Sequence, residues 1–208
     1  MAVIKFGYML EQLSIWRYCV RSENPSSAVN QQERLSTHEQ RCWFLAGLIE
    51  GEGSLCVSIK EHKPSRFGYL VDPEFFIYQH KIRRGLLELA GSVFETGRIT
   101  PKHGNEDLLV FSIVSQRWIV NRVLPFFERY MAFSCKKRDF QLFREIVMAI
   151  ENKQHHDPHG LVDIVEKAYQ MNMVGKQRKR PKGVVIERIL RDYTPNPLAQ
   201  SGEDIVRS

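Results

Sequence analysis

The spacing of apolar and polar residues predicts an alternation of single helices and paired strands. A helix is expected over residues 37–49, and residues 54–60 alternate strictly between apolar and polar, which is typical of a half-buried strand. A second strand is predicted in LVDPEFFIYQ, a helix in KIRRGLLELAGSVF and a second hairpin in TGRITPK and DLLVFSIVS. Further helices are predicted after residue 115. The order α-β-β-α-β-β-α indicates an α+β fold whose four-stranded antiparallel sheet carries helices on one face.

The same pattern divides the chain into three regions. Residues 1–38 are predicted to be an N-terminal extension, with a helix over about 4–20 and then a polar linker. Residues 39–174 contain the predicted sheet and its helices. Residues 175–208 begin with GKQRKRPKG, a basic run that either lies solvated as a tail or contacts phosphates.

Composition supports a folded protein with an anionic partner. Of the 208 residues, 43% are hydrophobic and 11% aromatic, and the formal net charge is +6, so nucleic acid is a candidate partner. The four cysteines form no C-x-x-C pair, which favours reduced thiols over a disulfide framework or a zinc site. No apolar run reaches the length of a membrane span and the N-terminus lacks a signal-peptide core, so we expect a soluble, intracellular protein without a membrane partner.

The segment CWFLAGLIEGEGSLCVSIK places two glutamates at the end of an apolar helix. Helical spacing puts one set of side chains on a face that a second helix can approach closely: Trp43, Ala46, Gly47 and Glu50. The opposite set is a core stripe that ends in a carboxylate: Leu45, Leu48, Ile49 and Glu52. Two copies of the chain would bring two Glu52 carboxylates together, which is repulsive unless divalent cations lie between them.

Plainer interpretations of these features remain open. The helix can be an ordinary core helix with a glycine C-cap and two glutamates in solvent. The segment HHDPH has the residue types of metal ligands, but no second cluster accompanies it, so we expect an ordinary loop.

The stretch LAGLIEGEG, Leu45 to Gly53, closely resembles the signature motif of the LAGLIDADG homing endonucleases, with glutamates at both aspartate positions and glycine at the second alanine. The resemblance covers roughly residues 39–150 and implies the αββαββα LAGLIDADG homing-endonuclease fold. A single motif implies a homodimer with a symmetric site. The resemblance makes Glu52 the ligand of the catalytic Mg²⁺ or Mn²⁺, with the Gly51 carbonyl as an additional contact, and gives Glu50 a structural role.

Two further segments resemble members of this family. FFIYQHKIRR is similar to the end of the second strand in single-motif enzymes, and implies that Gln79 and Arg83 position the attacking water and the scissile phosphate. The alternative is that Gln79 caps a helix and Arg83 extends into solvent. CKKRDF is similar to the segment that supplies an active-site lysine, which we assign to Lys136, with Lys137 as the rival.

The predicted sheet presents its polar face to DNA. A two-stranded ribbon fits the major groove of double-stranded DNA, where side chains contact base edges and phosphates. Asp72 and Glu74 would repel phosphates and can accept from cytosine amino groups. The predicted DNA-binding residues are Ser58, Lys60, Arg66, Asp72, Glu74, Phe76, Tyr78, Arg98, Thr100 and Lys102.

The resemblance implies a site-specific DNA endonuclease that makes a metal-dependent double-strand break at a long, intron-insertion site. It places such a protein in a bacterial cytoplasm or in a chloroplast or mitochondrion. Three alternatives share the fold: an intron RNA maturase, a non-catalytic DNA-binding regulator and an inactive copy. An acidic residue at position 52 together with Gln79 and Arg83 favours the nuclease.

Overall fold

The computed structural model describes residues 38–132, 134–172 and 180–191. The chain separates into two units, residues 1–41 and residues 42–208. Of the first unit only residues 38–41 are described, as the opening turn of a helix. The predicted N-terminal helix, its polar linker and the basic residues 176–179 lie outside the described residues.

The elements of the described part follow the predicted order. They are α1 (His38–Glu52), β1 (Gly53–Glu61), β2 (Tyr69–His80), α2 (Arg84–Phe94), β3 (Arg98–Lys102), β4 (Asn105–Ile113), α3 (Leu124–Tyr130), α4 (Lys137–Glu151), α5 (Pro158–Gln170) and α6 (Lys182–Arg191). Single 3₁₀ turns precede α2 (Lys81–Arg83) and α5 (Gln154–His156). None of the helices in this described part is long and apolar enough to cross a membrane.

The four strands form one antiparallel sheet in the order β1-β2-β4-β3, which confirms the predicted fold class. Phe75 and Ile77 pair with Ile113 and Phe111, and all four side chains are buried on the inner face. The period-2 alternation fixes this register, because a slip by one residue would turn these side chains toward solvent. The two hairpins β1–β2 and β3–β4 therefore meet along β2 and β4, and the helices pack on their inner face.

The inner face of α1 differs from the predicted one. Cys42, Leu45, Ala46 and Ile49 are all at most 6% exposed and lie in the core with the sheet. Ala46 thus lies on the core side of α1, because the 3.6-residue period groups it with Cys42 and Ile49. Its contact with a second chain stays a prediction. Leu48, predicted as core, is only half-buried.

The helical segment before α3 also differs in detail from its prediction. A proline lacks the N–H that continues a helix, so the sequence predicts a kink or restart at Pro125. The chain instead passes from an α-turn, Gln116–Trp118, into a π-helical turn, Ile119–Val123, and resumes as α3 with Pro125 in its first turn. The irregularity therefore lies immediately before the proline.

The C-terminal helix α6 forms a second apolar cluster with α5 and the β1–β2 hairpin. The buried members are Phe67, Tyr69, Leu161, Val165, Val185 and Ile189. The Tyr169 hydroxyl also donates to the Arg180 carbonyl at 2.8 Å. Part of the segment predicted as a basic tail is thus an amphipathic helix. Its buried residues Val185 and Ile189 are separated by charged residues in the sequence.

Gly53 joins α1 directly to β1, and a side chain there has no space. A Cβ at this position would lie 2.6 Å from the Ile49 carbonyl oxygen. We expect Gly53→Ala to lower the free energy of unfolding by about 1–3 kcal/mol, the usual cost of overpacking. Denaturant unfolding measures this, with Gly51→Ala as the control because a Cβ at Gly51 meets nothing within 4 Å. An equal loss of unfolding free energy in both variants would contradict the close contact of Gly53 with Ile49.

The second apolar cluster should contribute to stability. Ile189 is fully buried while the adjacent Leu190 is 41% exposed. Ile189→Ala should lower the free energy of unfolding by about 2–5 kcal/mol, the range for emptying a packed core position. Leu190→Ala removes a similar side chain from the surface and should cost much less. Urea denaturation of both variants decides the point, and indistinguishable midpoints would show that α6 does not pack as described.

Candidate active site

The site is built at the C-terminal end of α1, where helix and sheet meet. Glu52 is the last residue of the helix, and Gly53 opens β1 opposite Ile77 of β2. Glu52 is exposed, and no described residue donates a hydrogen bond or forms an ion pair to its side chain. Its carboxylate therefore projects into solvent beside the sheet.

Glu50, in contrast, is held by the loop before α4. Its carboxylate accepts from the Ser134 hydroxyl and, at 2.9 Å, from the Cys135 backbone N–H. Partial burial acts to raise the pKa of the Glu50 carboxyl, but these hydrogen bonds and the nearby Lys136 charge outweigh it and hold the pKa below its usual value. Glu50 thus fastens two segments of one chain together. Its assignment to a dimer interface stays a prediction.

Lys136 reaches the same helix end. Its Nζ donates to the Glu50 carbonyl at 2.6 Å, and its backbone N–H donates to the Ser134 hydroxyl at 2.9 Å. The last carbonyls of a helix lack internal partners and carry partial negative charge, which a lysine ammonium stabilises. This contact favours Lys136 over Lys137 as the lysine of the site.

Gln79 lies near the end of β2, two residues beyond Ile77 and so about 7 Å further along the strand. Its side chain is on the inner face and 7% exposed, and it is the one buried polar residue found in the described part of the chain. The following 3₁₀ turn is capped by His80, whose Nδ1 accepts from the Ile82 N–H at 3.3 Å. Gln79 is therefore not a helix cap. Arg83, the last residue of that turn, is exposed.

The donors at this helix end suit a hard divalent cation. The Glu52 carboxylate and the Gly51 carbonyl, one of the unpaired carbonyls of the last turn, are oxygen ligands of the kind that Mg²⁺ prefers. Within the described ranges, no group of three or more His, Cys, Asp or Glu side chains is placed to hold a metal ion. The HHDPH segment spans a 3₁₀ turn and the start of α5.

The predicted DNA-binding side chains of the strands lie on the outer face of the sheet. Cross-strand pairs place Ser58 opposite Asp72, and Cys56 opposite Glu74. Further along, Phe76 lies opposite Ser112, which in turn lies opposite Arg98. The residues on this face are half-buried or exposed, whereas their inner neighbours are mostly buried: Ser58, Lys60, Asp72, Glu74, Phe76, Tyr78, Arg98, Thr100 and Lys102.

Several of these side chains already have partners. Lys60 Nζ lies 3.1 Å from Asp72 and 3.4 Å from Glu74. The Lys102 ammonium lies 5.4 Å from the centre of the Tyr78 ring. Burial, with Cys56 and Glu74 nearby, raises the pKa of Tyr78, so its hydroxyl stays protonated at neutral pH.

Arg66 lies outside the sheet face, in the turn between β1 and β2. It donates to the His156 carbonyl at 3.2 Å, and its guanidinium lies over the Phe67 ring. It lines a cavity of about 590 Å³ under the hairpin, together with Tyr69, Gln116 and His155. Asp72 lines the same cavity, but Arg66 itself lies in the turn and not on a strand of the outer sheet face.

The outward face of α1 is apolar and open. Trp43 and Phe44 are 52% and 53% exposed, although the Trp43 ring also meets Tyr130 edge-on at 5.0 Å. A Cβ built on Gly47 or Gly51 meets no atom of the described residues within 4 Å, so packing within that part of the chain requires neither glycine. Of the four residues predicted for this face, the structure leaves Trp43 and Gly47 outward, and Phe44 joins them.

Sequence reasoning missed the residues that hold the helix end in place. Ser134 and Cys135 contact Glu50 from more than eighty positions away in the chain, and nothing in their local spacing marks such a contact. A serine just before a helix signals a local backbone contact, which Ser134 makes with Lys136. His80 is not among the residues preferred at a helix N-cap, so the sequence did not mark it as the cap of the Lys81–Arg83 turn.

Comparison with known proteins agrees with this arrangement. The sequence model described as LAGLIDADG endonuclease matches residues 45–147. The chain is 40% identical over 123 residues to the DNA endonuclease I-CeuI of Chlamydomonas moewusii, covering 58% of this chain and 56% of that protein. It is 32% identical over 150 residues to the homing endonuclease I-ApeII of Aeropyrum pernix, covering 71% and 87%.

Solved structures show the same fold. The archaeal intron-encoded homing endonuclease I-Vdi141I, complexed with DNA, superposes with a TM-score of 0.70 at 30% identity, over 75% of this chain and 98% of that one. The group I intron-encoded homing endonuclease I-CeuI, also complexed with DNA, gives 0.68 at 31% identity, over 86% and 94%. The motif at the end of α1, the sheet order and these similarities together show that the chain belongs to the LAGLIDADG endonuclease family.

Proposed function

We propose that the protein is a site-specific homing endonuclease that makes a metal-dependent double-strand break in a long DNA site. One observation carries the proposal: the exposed Glu52 carboxylate, which has no partner among the described residues, stands at the C-terminal end of α1, while Lys136 is hydrogen-bonded to that same helix end. A carboxylate suited to a cation, Glu52, and an ammonium suited to phosphate, Lys136, thus lie at one edge of a sheet with a polar outer face.

Each residue of the site has a distinct proposed role. Glu52 and the Gly51 carbonyl would hold Mg²⁺ or Mn²⁺, and a cation held there would supply an activated water and charge stabilisation for the leaving oxygen. Lys136 and Arg83 bind the scissile phosphate, and Gln79 orients the water by hydrogen bonding. An exposed carboxylate at this helix end favours a nuclease over an RNA maturase or a DNA-binding regulator, neither of which needs it.

We also propose that the active form is a homodimer. A single chain offers one acidic ligand, whereas cleavage of two strands requires two equivalent sites, and a symmetric pair of chains supplies them. The exposed Trp43 and Phe44 and the open Gly47 support a contact along α1, because an apolar helix face with a glycine permits close approach of a second helix.

The proposed substrate is double-stranded DNA spanning an intron-insertion site. Two of the solved relatives are named as intron-encoded and complexed with DNA, and a fungal relative of Podospora anserina lies in ND4 intron 1. We accordingly propose that the protein acts in a bacterial cytoplasm or in an organelle.

Glu52→Gln tests the chemistry. The substitution keeps the shape of the side chain and removes the charge that holds the metal, so strand cleavage should fall by orders of magnitude. DNA affinity without metal should hold or improve, because a carboxylate near phosphates is repulsive. A plasmid cleavage assay in Mg²⁺, beside a binding titration in Ca²⁺, measures both quantities.

The control is Glu50→Gln, whose amide would face the Ser134 and Cys135 donors. We expect that change to lower thermal stability more than Glu52→Gln does, since Glu52 has no partner in the described part of the chain. Wild-type cleavage by Glu52→Gln would overturn the assignment. DNA binding without cleavage by the wild-type protein would support the maturase or regulator instead.

Gly47→Leu tests the dimer. A leucine on the exposed face of α1 should separate the two helices and weaken association at least tenfold. Helix propensity alone predicts the opposite sign for the stability of α1, because leucine favours a helix over glycine by about 1 kcal/mol. Sedimentation over a concentration series gives the dimer dissociation constant. The matched control is Gly85→Leu, a similarly open glycine on α2. A wild-type chain that stays monomeric at micromolar concentration and still cuts both strands would contradict the proposal.

A further inference from the structure

Four side chains at the hairpin end of the outer sheet face form a connected polar group, which we call the hairpin charge cluster: Ser58, Lys60, Asp72 and Glu74. Lys60 Nζ lies 3.1 Å from Asp72 Oδ2 and 3.4 Å from Glu74 Oε1. The Ser58 hydroxyl donates to Glu74 Oε2 at 2.6 Å. The cluster spans both strands of the β1–β2 ribbon.

The charge of the cluster is unusual for a surface that meets DNA. Two carboxylates surround a single ammonium, so the cluster carries a net charge of about −1 and would be repelled by phosphates. Burial acts to lower the pKa of Lys60, but its hydrogen bond to Asp72 and the charges of Glu74 and Asp72 raise it, so the ammonium is retained. A net negative cluster fits the base edges of the groove better than the backbone.

The two carboxylates are not equivalent. Both oxygens of Glu74 are occupied, one by Ser58 and one by Lys60, and its side chain is 17% exposed. Asp72 is 32% exposed and contacts Lys60 through Oδ2 alone, and Oδ1 accepts no hydrogen bond from the described residues. Asp72 thus offers an open acceptor, while Glu74 holds Lys60 in place.

The turn end of the β1–β2 ribbon is held by contacts with the C-terminal helices and with Arg180. Glu61, which follows Lys60, lies 3.1 Å from the Arg188 guanidinium and 3.3 Å from that of Arg180. Tyr69, its partner across the ribbon, is buried against α5 and α6. The cluster is therefore held on a strand pair that two helices support, which reduces the ordering required when a ligand binds.

Building on the proposed function, we propose that the hairpin charge cluster recognises one cytosine–guanine base pair in the major groove of each half-site. Asp72 Oδ1 accepts from the cytosine N4 amino group, and the Lys60 ammonium donates to guanine O6 or N7. Glu74 and Ser58 are positioning residues that orient Lys60. Thymine presents an acceptor and a methyl group at the position of the cytosine amino group, so the carboxylate rejects it.

The competing interpretation is that these contacts only stabilise strand pairing, as cross-strand pairs of opposite charge do. That role would make the substitutions affect every DNA sequence alike. Base recognition instead predicts an effect confined to one position in each half-site.

The experiment selects cleaved sequences from a pool of randomised DNA duplexes in Mg²⁺ and then measures relative kcat/KM for all four bases at each half-site position. We expect wild-type protein to prefer cytosine–guanine at one symmetric pair of positions by about 10- to 100-fold. Asp72→Asn should remove that preference or move it toward adenine, which an amide recognises, and Lys60→Met should relax it at the same positions. Preferences elsewhere should not change.

The matched control is Lys63→Met, an exposed lysine in the turn of the same hairpin, which should alter no base preference. Binding selection in Ca²⁺ repeats the base profile without turnover, and thermal unfolding confirms that each variant folds. If Asp72→Asn leaves the base profile unchanged, or lowers kcat/KM equally for all bases, base recognition by the cluster is wrong. Either result leaves the proposed nuclease function standing. A pool that wild-type protein neither binds nor cuts overturns the proposed function and the readout with it.

Discussion

The end of α1 is the constraint on which the rest of the structure depends. Gly53 allows the helix to pass into β1 without a connecting loop, since any Cβ would meet the Ile49 carbonyl. Glu50 and Lys136 then fasten the α4 loop to that same end through hydrogen bonds. Because the sheet, the helix and the loop are all fixed here, the Glu52 carboxylate can be exposed and still have a defined position.

Glu50 and Glu52 have the same side chain, and their different surroundings give them different roles. Glu50 is half-buried and accepts a hydrogen bond on each carboxylate oxygen, and its lowered pKa keeps it ionised, so it contributes to structure. Glu52, two residues later, turns to the other side of the helix end and meets no described partner. A cation is the ligand that such a helix terminus favours, since its carbonyls and its carboxylate all carry negative charge.

The support of the sheet extends to the opposite end of the hairpin. There α5 and α6 bury Phe67 and Tyr69 in a cluster separate from the main core. The apolar contacts supply most of that stability, because exposed ion pairs such as those of Glu61 contribute little in water. The two ends of the β1–β2 ribbon are thus held by different means: hydrogen bonds at the proposed active site and apolar packing at the hairpin turn.

The sequence by itself determined the order of elements, the antiparallel sheet and the motif that contains Glu50 and Glu52, because strand alternation and helix period are local properties of the chain. It also identified the polar outer face. Its pattern grouped Ala46 with the outward side of α1, and the basic run obscured the helical spacing of Val185 and Ile189 in α6. The face that a helix buries depends on what packs against it. Only the tertiary structure decided that Ser134 and Cys135 hold Glu50, that Lys136 reaches α1 and that Asp72 and Glu74 share Lys60. Those contacts join residues far apart in the chain, and no local pattern encodes such distances.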